Sequence, residues 1–115
     1  MGVSIDSKFS HKGWLETGAI TPSKKLNHPI VSDLTKNISR DYGVLNEQAG
    51  IAMRGTFIID PKGKIRSYSC CDAPVGRSVK ETVRLLTALQ HVDAAGGKEV
   101  CQVDWNKDSK AIKLG

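Results

Sequence analysis

"TFIIDPKGKIRSYSC", residues 56–70, decides how the rest of the chain is read. Thr56-Phe57-Ile58-Ile59 is β-branched and aromatic, which suits a pleated strand. Asp60-Pro61-Lys62-Gly63 follows, with Asp first, Pro second and Gly fourth, the chemistry of a type I turn. From Lys64 to Cys70 the side chains alternate, Ile65, Ser67 and Ser69 against Arg66, Tyr68 and Cys70. The stretch predicts a β-hairpin.

Downstream of the loop DAPVGR, Ser78-Val79-Lys80-Glu81 is a capping box. It predicts a helix to about His91, with Val79, Val83, Leu86 and Leu89 on an apolar face and Lys80, Arg84 and Thr87 opposite. Residues 92–115 contain Gly96-Gly97 and little periodicity, and read as an extended arm with no core of its own. Upstream, Val3–Asp6 reads as a strand stub, and Ser10 as the cap of a short helix carrying Trp14 and Leu15. Residues 17–29, broken by Gly18, Pro22 and Pro29, read as loop. A short strand at 29–33 leads to a helix from about Asp33, with Leu34, Ile38 and Tyr42 on one face and Gly43 as its stop. Residues 46–50 read as a polar loop. The order predicts an α/β fold with a mixed sheet.

A length of 115 residues with 39% hydrophobic content fits one globular domain. The net charge is +5, but the Lys and Arg residues are scattered and have no interleaved aromatics, so nucleic acid is not an expected partner. No window approaches the ~20 apolar residues of a membrane span. The N-terminus MGVSIDSKFSH lacks a secretory pattern, which predicts a cytoplasmic setting with reduced thiols. The three cysteines, Cys70, Cys71 and Cys101, form no C-x-x-C, and His11, His28 and His91 have no ligand spacing, so no metal is expected. Cys70 and Cys71 read as structural, one packed and one exposed at a sheet edge. Cys101 stands out: it lies in the polar stretch KEVCQVDWNK, where a cysteine used only for packing has no apolar run to join.

Four ordered stretches, VSIDSKFSHKGW (3–14), DYGVLNEQAGIAMRGTFIIDPKGKIR (41–66), DAPVGRSVKETVRLLTALQ (72–90) and EVCQVDW (99–105), together resemble the peroxiredoxins of the typical two-cysteine branch, the alkyl hydroperoxide reductase and thioredoxin peroxidase group. The resemblance implies a thioredoxin-like fold, incomplete at its N-terminus: residues 1–91 would form its C-terminal part and 92–115 the arm. It implies a thiol peroxidase acting on hydrogen peroxide and alkyl hydroperoxides without a cofactor. In that cycle one thiolate attacks the peroxide and becomes a sulfenic acid. A resolving thiol of the other subunit then condenses with it to a disulfide, which a thioredoxin-like dithiol reduces.

Cys101 occupies the resolving position of the family's V-C-P-x-x-W motif, although the Pro is Gln102 here and Asp104 adds a negative charge beside the thiol. Arg54 matches the arginine that stabilises the thiolate and hydrogen-bonds the peroxide, a task suited to a permanently charged guanidinium. Arg77, in PVGRS, matches a further position near the active site. His11 reads as a capping or surface residue and Trp14 as helix packing. The resemblance also implies a homodimer or higher oligomer through the edge strand Lys64–Cys70. The family's attacking cysteine lies in a Pro-x-x-x-Thr-x-x-Cys motif, which these 115 residues do not contain. The alternative is therefore a non-catalytic remnant that serves as a dimerisation or interaction module.

Overall fold

The computed structural model describes residues 1–19 and 25–115, which divide into two units, Met1–Gly55 with Cys70–Ala73, and Thr56–Ser69 with Pro74–Gly115.

In the first unit β1 (Gly2–Ser4) pairs in parallel with β2 (Ile30–Ser32), Val3 opposite Val31. Between them runs α1 (Lys8–Glu16). Its cap is Ser7, not Ser10. Ser7 is in extended conformation and its Oγ accepts the Ser10 N–H at 3.1 Å, so Ser10 lies in the first turn. His11 is buried rather than a surface residue. Ser4 Oγ donates to Asp6 Oδ2 at 2.7 Å and therefore accepts from His11 Nε2, also at 2.7 Å; His11 Nδ1 is buried with no partner. Trp14, expected to pack, is 49% exposed. The loop expected over 17–29 is irregular where it is described; its Pro22 portion lies outside the described residues.

The helix expected from Asp33 is shorter and starts later: α2 is Asn37–Asp41. The Asp33 carboxylate explains the delay. It accepts the Ile38 N–H at 3.0 Å and the Ser39 N–H and Oγ–H at 2.7 Å each, binding the helix start from upstream. Lys36 adopts φ 63° in the intervening turn, and Leu34 is left outside the helix and exposed. Gly43 does stop the helix, at φ 69°. The polar loop at 46–50 is a small hairpin: β3 (Leu45–Asn46) pairs antiparallel with β4 (Ile51–Ala52), and Gly50 N–H reaches Asn46 O at 2.8 Å.

The expected hairpin is present as β5 (Arg54–Ile59) paired with β6 (Ile65–Cys71). Gly63 N–H closes the turn on Asp60 O at 2.9 Å, and Asp60 Oδ1 takes the N–H groups of Lys62 and Lys64. Phe57 stacks with Tyr68 across the strands at 6.3 Å. Cys70 and Cys71 are both exposed, so neither is packed as expected: they end β6, which among the described residues is paired with β5 alone.

In the second unit Ser78 caps α3 (Val79–Ala94), its Oγ accepting Glu81 N–H at 3.1 Å. The expected apolar face is covered only at Leu89. Val79, Val83 and Leu86 are 76, 54 and 42% exposed, whereas Leu85, Ala88, Leu89 and Val92 are half-buried. The arm is not extended. β7 (Glu99–Val100) pairs antiparallel with β8 (Ile112–Lys113), and Trp105 between them is 2% exposed. An indole can bury far more surface than any other arm side chain, which is why the segment folds back onto α3. No described helix is long and apolar enough to cross a membrane.

Two outcomes follow for stability. Trp105→Ala is expected to cost about 3–5 kcal/mol in chemical denaturation, as for other buried aromatics, and Trp14→Ala less than about 0.5 kcal/mol. The second concerns acid. Asp93 is held below its ordinary range by hydrogen bonds from Arg66, Glu81 by Arg84, Glu47 by Arg40 and Asp60 by the Lys64 N–H. At Asp33 burial pushes the carboxyl up, but the hydrogen bonds from Ser39 and Ile38 outweigh it. These carboxylates release protons more readily folded than unfolded, so stability is complete above the ordinary range near pH 4 and is lost as pH falls through the lower folded values. The melting temperature should decline steadily from about pH 4 downward, with a shallower slope in Asp93→Asn.

Candidate functional site

The site is built where the arm meets α3. β7 delivers Cys101 immediately after Val100. The next residues form a turn, with Asp104 at φ 56° and Trp105 N–H bonded to Gln102 O at 3.1 Å. The turn gives the four-residue spacing of Cys101 and Trp105 a geometric meaning, since it returns both to the same helix. Cys101 is half-buried, and its Sγ–H points at the Ala88 carbonyl at 3.8 Å. The Trp105 ring lies on the His91 imidazole with centroids 4.9 Å apart, and its carbonyl accepts Arg84 Nη1 at 3.0 Å. His91 Nε2 meets Glu99 Oε2 at 2.8 Å.

Arg84 is fixed by two bonds to the Glu81 carboxylate, at 2.7 and 2.8 Å. Its guanidinium is held above its ordinary range, first by those bonds, against the cost of partial burial, and then by the charges of Glu81, Asp104 and Cys101. A permanent cation therefore stands within electrostatic reach of the Cys101 sulfur.

The sequence-derived residues are distributed over both units. Arg54 opens β5 in the first unit; it is exposed, and its Nε donates to Ala73 O at 2.8 Å. Arg77 is exposed in the second unit, one residue before the α3 cap. Arg84, His91 and Glu99 were not singled out as site residues. Arg84, Ala88 and His91 repeat at helical spacing on α3 and carry the signal, which would have been legible by asking what the polar side of the helix meets.

The AhpC/TSA family profile matches residues 1–68. The chain belongs to this family, the peroxiredoxins. It is 52% identical over 118 residues to human "Thioredoxin-dependent peroxide reductase, mitochondrial", an alignment covering 98% of this chain and 44% of that protein. It is 47% identical to bovine peroxiredoxin-2, covering 98% of this chain and 56% of the relative. The chain thus spans about half the length of the curated relatives it matches. Reduced 2-Cys peroxiredoxin of Plasmodium vivax superposes with a TM-score of 0.82 at 32% identity, covering 96% of this chain and 56% of that one. The peroxiredoxin chain accordingly has a thioredoxin-like fold.

The environments of the three thiols predict an order of reactivity. Cys70 and Cys71 should be alkylated first by a small thiol reagent, and Cys101 later, because its sulfur is half-buried against Ala88. A mass-spectrometric time course measures this; Cys101 reacting first would contradict the packing described.

Proposed function

We propose that this chain works in a thiol peroxidase that reduces hydrogen peroxide and alkyl hydroperoxides through a cysteine disulfide cycle, with Cys101 as the resolving thiol. The observation that carries this reading is the seat of Cys101. Its sulfur is half-buried on α3, on an arm anchored by Trp105 four residues later, in the sequence context that resembles the family's resolving motif. In the proposed step the Cys101 thiol attacks the sulfur of a sulfenic acid on a second subunit. The disulfide forms, the hydroxyl leaves as water with the thiol proton, and a thioredoxin-like dithiol later reduces the bond. Arg54 is proposed to stabilise the attacking thiolate and the peroxide, and Arg77 to assist near the subunit contact. The proposed setting is the reducing cytoplasm, although the human and fruit-fly relatives are named as mitochondrial proteins.

A second reading is supported by β6. It pairs with β5 alone among the described residues, and exposed strand edges favour pairing with another chain. This edge is proposed as the homodimer contact, and on its own it would suit a non-catalytic interaction module.

Mixing the 115-residue polypeptide with a complete two-cysteine peroxiredoxin under mild peroxide separates these readings. Cys101 should account for most mixed disulfides by peptide mapping, and Cys101→Ser should remove them. Disulfides through Cys70 or Cys71 instead would overturn the assignment. The 115-residue polypeptide alone is expected to consume peroxide slowly in a thioredoxin-coupled assay. Fast turnover that is lost in Cys70→Ser or Cys71→Ser would place the chemistry at those thiols.

A further inference from the structure

We infer that His91 is the positioning residue that holds the Cys101 arm closed, gripping it on both sides of the thiol. Its Nε2 is bonded to Glu99 Oε2 at 2.8 Å, two residues before Cys101, and its ring carries the Trp105 indole at 4.9 Å, four residues after. One side chain on α3 therefore holds both ends of the segment 99–105. Between these two points the Cys101 sulfur rests on the Ala88 carbonyl, one helical turn before His91. The sulfur is half-buried in this seat against the Ala88 carbonyl, so full access for a second chain needs the arm to move. The arm must lift, and lifting breaks the Glu99 bond and the Trp105 contact together.

Arg84 adds a hold on the Trp105 carbonyl at 3.0 Å, but it acts on one side of the thiol only. A carboxylate–imidazole hydrogen bond is among the stronger kinds when the ring is charged, and the ring contact adds to it. Removing both should raise the population of the lifted arm. In a native protein the labelling rate of a covered thiol follows that population. The functional meaning rests on Cys101 being the resolving thiol; the grip itself does not.

The test is the alkylation rate of Cys101 in the 115-residue chain, with Trp14→Phe as background so that Trp105 is the sole tryptophan. His91→Ala should raise the rate about tenfold, with Trp105 emission shifted to the red, while amide exchange in α3 stays unchanged. His91→Phe keeps a ring against Trp105 without the bond to Glu99, and should fall between the two; should His91→Ala not fold, this variant still decides. Glu99→Gln should accelerate labelling in the parent and add little in His91→Ala, because both changes break the same bond. Equal rates in parent and variants would overturn the inference. So would fully additive effects accompanied by lost protection throughout α3, which would mean general destabilisation. Repeating the mixed-disulfide experiment with each variant separates this from the functional reading. Faster labelling with no disulfide at Cys101 leaves the grip and removes the resolving role. A disulfide that forms at an unchanged rate in His91→Ala leaves the role and removes the grip.

Discussion

The seating of Trp105 is the contact on which the second unit depends. Among the described residues it is the one buried hydrophobic side chain. Burying an aromatic ring of this kind removes about 150–250 Å² from water, on the order of 4–6 kcal/mol at about 25 cal/mol per Å². Part of this is offset, because the indole N–H is buried without a partner. The surplus is what turns a glycine-broken tail into a folded arm. It brings the Cys101 sulfur to the Ala88 carbonyl and the Arg84 guanidinium to the Trp105 carbonyl.

Polar contacts do much of the remaining fastening. Asp33 holds the start of α2, Ser4 links Asp6 to His11, and Arg66 forks onto Asp93 with two bonds of 3.0 Å. Each partly exposed ion pair contributes little by itself. Their role is to fix geometry where apolar burial is thin. Val79, Val83 and Leu86 on α3 face solvent in the same unit, so the helix is only partly employed in its own packing.

The hairpin and the start of α3 were legible in the sequence because their signals are local. Asp60, Pro61 and Gly63 specify the turn within four residues, and Ser78 caps its helix three residues from Glu81. The start of α2 was not legible, because Asp33 reaches five and six residues ahead and displaces the periodic pattern that Leu34 suggests. The arm failed for a different reason. Its order comes from one ring meeting one helix, and neither periodicity nor composition reports a single tertiary contact. Cys101 was found through resemblance to a motif; Arg84, His91 and Glu99 around it became visible only once the arm was seen to fold back. His11 and Trp14 exchanged their expected places, the imidazole going inside and the indole outside, because the Ser4 hydroxyl offers the imidazole a polar partner.

The two cysteines that end β6 have a further consequence, one of electron traffic. Adjacent residues of a strand point to opposite faces, and their Cα atoms stand about 3.8 Å apart, closer than the span an unstrained disulfide adopts. Cys70 and Cys71 are thus poor partners for each other, and both face solvent. A disulfide formed at either thiol therefore joins it to a cysteine other than its neighbour. The distribution of redox forms in a mixed population then depends on the ratio of chains to reductant as well as on the affinity of any one contact.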